Sequence, residues 1–244
     1  MTGARVVVIT DRRLFGSEEI AGRLAAILRA VPRGSVAIQV REKDLDGGPL
    51  LALVREIQEV ALHAGAPIWV NDRLDVALAA NVHGVHLPEH CLSIDQALTI
   101  CAMAAAVSDD TSFIDEESVE LDVRSALAAR QGLAIGCSRH SRDAVLAAAT
   151  AGASLVQLGP IWATPGKGTP LGPAVLAVRR ELPPHVELVA VGGIDRVERA
   201  REAALAGADA VAVIRAAWDS ERAPARIAEL VEAVEAGIGA RHHP

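Results

Sequence analysis

Short apolar segments alternate along the chain with longer Ala- and Leu-rich segments. The short segments are rich in β-branched residues and apolar on both faces, as expected of strands covered by helices. Eight of them occur, at residues 5–10, 36–40, 68–70, 84–87, 133–136, 155–158, 188–191 and 210–214. The longer segments have helical spacing, at 18–30, 50–64, 143–150, 173–181 and 197–206. This alternation predicts βα units that build a parallel sheet.

A weak internal repeat joins helix ends to the following strands. In three places a residue able to take the left-handed conformation stands just before an apolar run: Asn81, Gly152 and Gly207. Such short joins suit a closed barrel. We therefore predict an α/β protein with a single (β/α)₈ TIM-barrel domain over residues 1–244, whose functional groups collect at the carboxyl ends of the strands.

The region from about 103 to 122 departs from this pattern. It holds seven carboxylates, from Asp109 to Asp122, and no Lys or Arg. We predict an acidic insertion in or after the fourth helix, and the simplest interpretation of such a block is a solvated loop. A regulatory or partner-binding role is the alternative.

Composition restricts the class of partner. The formal charge is −7 and aromatic residues make up only 2% of the chain, which argues against nucleic acid and anionic membranes as partners. Cys91, Cys101 and Cys137 are odd in number and not closely spaced, and no segment predicts a signal peptide or a membrane span. We expect a cytoplasmic protein that acts on small molecules, and we leave open whether it forms a homo-oligomer.

The second predicted strand ends in an amide and two cations. Gln39, Arg41 and Lys43 recur at every second position, so they project to one side if the strand geometry persists. Together they would grip a polyanion such as a diphosphate. The alternative is a solvated strand end in which Arg41 and Lys43 pair with Glu42 and Asp44.

The third predicted strand ends in Asn71 and Asp72. A single carboxylate is an acceptable Mg²⁺ ligand when substrate phosphates complete the coordination shell. The alternative is that Asp72 caps the helix that begins near Arg73 and that Asn71 serves the turn.

The fifth predicted strand runs into Gly136-Cys137-Ser138-Arg139-His140-Ser141. Ser138 would donate a hydrogen bond to a leaving phosphate, and His140 would move protons near neutral pH. Ser141 is the natural cap of the helix that follows.

Two loops near the end of the chain suit phosphate binding. Residues 159–172 form a Gly- and Pro-rich loop, long for a βα connection, with Lys167 as its only charge. Gly192-Gly193 follows the seventh strand and Val213-Ile214 ends the eighth, where barrels commonly bind phosphate through backbone N–H groups.

Taken in order, these segments resemble thiamine phosphate synthases and the related TenI-like proteins, which include thiazole tautomerases. The resemblance runs from Val6 to about Trp218 without the acidic insertion. The matching strings are Ile9-Thr10-Asp11-Arg12, Gln39-Val40-Arg41-Glu42-Lys43, Val70-Asn71-Asp72-Arg73, Gly84-Val85-His86-Leu87, Gly136-Cys137-Ser138-Arg139-His140, Gly159-Pro160-Ile161 with Thr164 and Lys167, and Gly192-Gly193-Ile194.

The resemblance implies a role for each matching residue. The pyrimidine diphosphate would be held by Gln39, Arg41, Lys43 and Asn71, and its diphosphate by Ser138 and Lys167. Asp72 would bind Mg²⁺, and Thr164 would hold the thiazole. The backbones of Gly192, Gly193, Val213 and Ile214 would hold the thiazole phosphate.

The implied reaction joins hydroxymethylpyrimidine diphosphate to thiazole phosphate and releases diphosphate. Three departures from the usual pattern bear on it. Gly166 stands where synthases usually carry a hydroxyl residue before the lysine of the loop, and the continuation Gly168-Thr169-Pro170-Leu171-Gly172 is more like the TenI branch. Cys91 stands where synthases usually carry a second Mg²⁺-binding Asp, and Arg215 stands where a Ser is common near the phosphate. A synthase is our first expectation. A thiazole tautomerase with His140 as general acid and base, or a non-catalytic binder of thiazole or thiamine phosphate, are the alternatives.

Overall fold

The protein was analysed as a computed structural model that describes residues 3–14, 20–109, 132–218 and 221–242. Eight parallel strands pair in chain order, and β8 pairs with β1 to close a barrel. The strands are β1 (Val6–Ile9), β2 (Val36–Val40), β3 (Ile68–Asn71), β4 (Gly84–Leu87), β5 (Ala134–Arg139), β6 (Leu155–Leu158), β7 (Glu187–Val191) and β8 (Ala210–Val213). The predicted (β/α)₈ fold is confirmed.

Helices follow the strands and cover the outside of the barrel. They are α1 (Ile20–Arg29), α2 (Gly47–Ala64), α3 (Leu74–Ala80), α4 (Ile94–Asp109), α5 (Arg142–Thr150), α6 (Val197–Ala206) and α7 (Ala223–His242). Within the described residues three further segments form 3₁₀ helices: Arg12–Leu14, Pro173–Glu181 and Arg215–Ala217. None of the helices in the described ranges is long and apolar enough to cross a membrane.

Two expectations for the helices need comment. Residues 173–181, which have helical spacing, form a 3₁₀ helix with those bounds. Residues 103–109 of the predicted acidic insertion continue helix α4, while residues 110–122 lie outside the described residues.

Alternate strand residues build two apolar layers. Val6 and Val8 of β1 belong to the large cluster between barrel and helices, whereas Val7 and Ile9 belong to the smaller cluster inside the barrel. Trp69 is the largest side chain of the inner cluster and is 3% exposed. Burial of both strand faces explains why the strands are apolar throughout.

The predicted helix-to-strand joins are present. Asn81 ends α3 with φ 50°, a left-handed conformation that Asn tolerates better than most residues. Gly207 ends α6 with φ 141°, and a Cβ there would lie 2.1 Å from the carbonyl oxygen of Leu176. These tight joins feed each helix directly into the next strand.

The packing of the barrel can be tested at two glycines, one tightly surrounded and one with open space around it. A Cβ at Gly84 would lie 2.4 Å from Cζ3 of Trp69 and 2.7 Å from the carbonyl oxygen of Ala134. Gly84→Ala should therefore lower the free energy of unfolding by about 1–3 kcal/mol through overpacking.

Gly22 is the matched control, because it lies in α1 with open space around its missing Cβ. Gly22→Ala should raise the free energy of unfolding by about 0.5–1 kcal/mol through helix propensity. Urea denaturation of both variants measures these changes. Equal stability of the two variants would contradict the described packing around Trp69.

Candidate active site

A cavity of about 550 Å³ opens at the carboxyl ends of the strands. It brings together eleven of the thirteen residues that the sequence proposes for the site. They are Gln39, Arg41, Asn71, Ser138, His140, Thr164, Lys167, Gly192, Gly193, Val213 and Ile214. The other two, Lys43 and Asp72, do not line it.

Five adjacent strands each contribute one polar residue near this mouth. Strand register and hydrogen bonding bring Gln39, Asn71, His86, Ser138 and Gln157 together from β2 to β6. All except Ser138 are buried, at 9% exposure or less. Burying a polar group costs free energy unless the group is hydrogen-bonded, so these side chains must find hydrogen-bond partners among one another inside the barrel.

The amides satisfy one another in a relay. Nε2 of Gln157 donates to Oε1 of Gln39 at 2.6 Å, and Nε2 of Gln39 donates to Oδ1 of Asn71 at 3.1 Å. Because the relay ties β6 to β2 and β3 across the inside of the barrel, Gln39 and Asn71 are held in fixed orientations. The two residues therefore present a preorganised polar surface to the cavity.

The second internal contact is between His86 and Ser138. Nε2 of His86 and Oγ of Ser138 share a hydrogen bond of 2.8 Å. Burial, helped by the positive charges of Arg139 and Arg41, lowers the pKa of His86 to about 3. His86 is therefore neutral at physiological pH, and its role toward Ser138 is to orient the hydroxyl.

The cations after β2 are separated by the end of the strand. Arg41 lines the cavity, and its backbone N–H donates to Oγ1 of Thr10 at 2.9 Å. The strand ends at Val40 and the chain turns, so Lys43 is exposed and does not follow Arg41 into the cavity. The strand geometry that would align Gln39, Arg41 and Lys43 does not persist to the third residue.

Glu42 and Asp44, the carboxylates that could have paired with Arg41 and Lys43, are instead bound by Arg12. Its Nη2 lies 2.6 Å from Oδ2 of Asp44, and its backbone N–H donates to Oε2 of Glu42 at 3.1 Å. Burial raises the pKa of the Glu42 carboxyl group. Within the described ranges Arg41 has no carboxylate partner, so its charge is available to a ligand.

Asp72 lies just beyond β3 in a left-handed conformation, with φ 68°. Helix α3 begins at Leu74, and the residue at its N-cap position is Arg73, which makes no side-chain capping bond. The alternative in which Asp72 caps this helix is therefore wrong. The Asp72 side chain is exposed and has no hydrogen bond or ion pair with the rest of the described chain.

Cys91 lies near Asp72. Burial, followed by the negative charge of Asp72, raises the pKa of the Cys91 thiol, so the group is a neutral thiol and a poor ligand for Mg²⁺. No set of three potential metal ligands among His, Cys, Asp and Glu occurs in the described ranges. The donor set thus fits Mg²⁺ only as one carboxylate, Asp72, completed by oxygens of a bound substrate.

His140 lies in the loop between β5 and α5 and has a partner for each ring nitrogen. Nδ1 contacts the carbonyl oxygen of Gly159, and Nε2 lies 3.5 Å from Oε2 of Glu89. Because a carbonyl only accepts hydrogen bonds, Nδ1 carries the proton and Nε2 is the basic nitrogen of the neutral ring. The next residue, Ser141, caps α5 as expected, because its Oγ accepts from the Ala144 N–H at 3.3 Å.

The loop from 159 to 172 is anchored at its base and exposed at its tip. The Ile161 and Trp162 N–H groups donate to the carbonyls of Val191 and Gly192 at 2.9 and 3.1 Å, so the loop extends the pairing of β6 and β7. Thr164 and Lys167 follow this anchored base and line the cavity.

Gly192 and Gly193 form the turn after β7, with φ 96° and 70°. A Cβ on Gly193 would lie 2.7 Å from Cβ of Trp162, so the loop leaves no room for a side chain here. Nη1 of Arg199 donates to the Gly193 carbonyl at 2.7 Å and fixes the turn from outside. Val213 and Ile214 complete this part of the wall.

The cavity is positively charged although the protein is acidic overall. Among the described residues, its lining includes four permanent cations, Arg41, Lys167, Arg215 and Arg226, and one carboxylate, Asp195. Such a local excess of positive charge attracts anionic ligands.

The family model of thiamine monophosphate synthase matches residues 6–116 and 103–217 of this chain. The chain belongs to this family. A thiamine-phosphate synthase of Methanoculleus marisnigri is 36% identical over 88% of this chain and 87% of its own length. One of Albidiferax ferrireducens is 32% identical over 94% and 93%. The solved structure of thiamine phosphate pyrophosphorylase from Pyrococcus furiosus is 26% identical and covers 98% of both chains with a TM-score of 0.76.

Three residues of the site were not predicted from the sequence: His86, Gln157 and Arg226. His86 and Gln157 lie within apolar strands, where a single polar residue is usually interpreted as part of the core without a functional role. Their signal was the alternation of strand faces, which places both on the inner side with Gln39. Arg226 lies on α7, after the last segment of the family resemblance, and only the fold brings it to the cavity.

The pKa of His86 gives a pH dependence of stability. Its folded pKa of about 3 lies below the ordinary value of 6.5, so between these values the unfolded chain binds a proton that the folded chain does not. Stability from this residue is complete above pH 6.5 and is lost as the pH falls toward 3. From pH 7.5 to pH 5, His86 should account for a loss of about 2 kcal/mol.

Denaturant unfolding at both pH values tests this on the wild type, His86→Gln and His185→Ala. The loss between pH 7.5 and pH 5 should shrink in His86→Gln and remain in His185→Ala, because His185 is exposed. An unchanged loss in His86→Gln would show that His86 is not the buried neutral group described.

Proposed function

We propose that the protein joins hydroxymethylpyrimidine diphosphate to thiazole phosphate, forming thiamine phosphate and diphosphate. Family membership supports this reaction. The observation that carries it is that a single cavity is lined by cationic side chains and by a glycine turn, which we divide into two sets of anion-binding groups. Arg41 and Lys167 form one set, and the Gly192-Gly193 turn with the end of β8 forms the other.

The two sets match the charges of the two substrates. Arg41, Lys167 and the oriented hydroxyl of Ser138 would bind the diphosphate. Gln39 and Asn71, fixed by the amide relay, would hydrogen-bond the aminopyrimidine ring. Lys43, exposed just outside the cavity, would approach only the outer phosphate.

The second substrate would lie toward β7 and β8. Thr164 would hold the thiazole ring, and the backbones of Gly192, Gly193, Val213 and Ile214 would surround its phosphate. A glycine turn allows a phosphate to approach the backbone closely. The two rings would then share one wall of the cavity, which orients the thiazole nitrogen toward the pyrimidine methylene carbon.

The proposed reaction breaks the bond between the methylene carbon and the diphosphate oxygen, and the electron pair leaves with the diphosphate. The thiazole nitrogen then donates its lone pair to the methylene carbon of the resulting cation. This chemistry requires neutralisation of the leaving group and alignment of two rings more than it requires proton transfer. The cations and the rigid amides supply both.

Mg²⁺ would supply further neutralisation of the diphosphate charge. Asp72 is the residue that would hold it, together with substrate oxygens. Lacking a second carboxylate at Cys91, the protein would depend on Arg41 and Lys167 for a larger share of this neutralisation.

The pairing of His140 with Glu89 favours a second candidate, isomerisation of a thiazole carboxylate phosphate. The Gly159 carbonyl holds the proton on Nδ1, which leaves Nε2 available as a base, and Oε2 of Glu89 lies 3.5 Å from Nε2. A general base of this kind can remove a ring proton and return it at another position.

The synthase proposal is tested by product formation with pyrimidine diphosphate, thiazole phosphate and Mg²⁺, followed by chromatography of thiamine phosphate. Arg41→Ala should lower kcat/KM by about 100-fold, since it removes a charge from the diphosphate site. Lys43→Ala should have a smaller effect, because Lys43 lies outside the cavity. Arg55→Ala, an exposed charge change on α2, is the control. Absence of product from the wild type would refute the proposal.

The isomerase candidate makes a separate prediction. His140→Ala should abolish interconversion of the thiazole carboxylate phosphate isomers, measured by proton NMR, while His185→Ala should retain it. Thiamine phosphate formation should survive in His140→Ala, because bond formation at the thiazole nitrogen needs no base. Undiminished isomerisation in His140→Ala would eliminate His140 as the proton carrier.

A further inference from the structure

Arg215 is an unassigned cation at the proposed phosphate site. It begins the 3₁₀ turn Arg215–Ala217 directly after Ile214 and lines the same cavity as Gly192 and Gly193. It is exposed, and none of the described residues pairs with its guanidinium group. An arginine without a partner on the wall of a cavity is available to a ligand.

Arg226 lies beside the same part of the cavity but is already engaged. It belongs to the first turn of α7, and its Nη1 donates to the carbonyl of Asp195 at 2.9 Å. This bond ties α7 to the loop that begins at Gly192. Arg226 therefore holds this loop in place together with Arg199, which donates to the Gly193 carbonyl.

The one carboxylate on this wall does not cancel these charges. Oδ1 of Asp195 lies 3.1 Å from Nε of Arg196 and 3.0 Å from Nη1 of Arg199. Arg196 and Arg199 do not line the cavity, so the negative charge of Asp195 is neutralised by side chains outside it. The side of the cavity toward β7 and β8 therefore keeps a net positive charge.

We propose that Arg215 binds the phosphate group of the ligand held by the Gly192-Gly193 turn, and that Arg226 is a positioning residue for that turn. The inference rests on the proposed function and extends its phosphate site from backbone N–H groups to a side-chain cation. A planar guanidinium presents two parallel N–H donors to phosphate oxygens, which the Ser common at this position cannot do.

A kinetic consequence follows from the bonds that change. The phosphate of the thiazole substrate passes unchanged into thiamine phosphate, so Arg215 would bind substrate, transition state and product alike. Uniform binding of this kind lowers KM without raising kcat. It also strengthens retention of the product.

The test is calorimetric titration with thiazole phosphate and with inorganic phosphate. Arg215→Ala should weaken binding of thiazole phosphate by about tenfold or more, the loss expected for a charge-assisted hydrogen bond. Arg215→Lys should retain part of the affinity. Arg180→Ala, an exposed arginine of the segment Pro173–Glu181, should bind within twofold of the wild type. In the synthase assay, Arg215→Ala should raise the KM for thiazole phosphate and leave kcat unchanged or higher.

Arg215→Ser distinguishes a ligand from an obstruction. If Arg215 blocked the site, Arg215→Ser would bind thiazole phosphate more tightly than the wild type, and this result would overturn the inference, as would unchanged affinity in Arg215→Ala. The outcome is separable from that of the proposed reaction. Arg215-dependent binding of thiazole phosphate without any thiamine phosphate formation would support this inference and refute the synthase.

Discussion

Closure of eight short parallel strands is the constraint on which the site depends. Each strand directs one residue inward near the mouth, and from β2 to β6 that residue is polar: Gln39, Asn71, His86, Ser138 and Gln157. Inside a barrel these groups can reach only one another or a ligand. The link from Gln157 of β6 to Gln39 of β2 joins strands that are not neighbours in the sheet, so the barrel must be closed before these two amides can meet.

The charged side chains of the cavity lie at its rim, apart from this buried polar network. The four cations of the cavity follow the strands or lie on α7, and none of them belongs to a buried ion pair within the described ranges. The buried polar network inside the barrel contains His86, which is neutral, and amide side chains, which carry no charge. This division lets the barrel keep a rigid interior while its rim carries the positive charge that a phosphorylated ligand needs.

The fold was predictable because its signals are local. Apolar runs, left-handed residues such as Asn81 and glycine turns each act over a few positions, and their repetition identifies a barrel. The site was predictable where a residue stands within or directly after a strand, as Gln39 and Arg41 do. Lys43 lies two residues farther from its strand than Arg41 does. Asp72 follows β3 directly but takes a left-handed conformation and does not line the cavity, and neither departure can be read from the sequence. The pairing of His86 with Ser138 needed the register of β4 against β5, and that is a long-range property.

The thiol at Cys91 changes the electrostatics of the proposed diphosphate site in two opposing ways. A neutral thiol offers Mg²⁺ no charged ligand, so in the proposed reaction Asp72 would hold the metal together with substrate oxygens. The same substitution removes a negative charge that would repel the diphosphate. Arg12 pairs with Glu42 and Asp44, and Arg41 forms no ion pair among the described residues, so its guanidinium group can bind a ligand. In the proposed reaction, neutralisation of the leaving diphosphate would therefore depend less on the metal and more on the side-chain cations of the cavity.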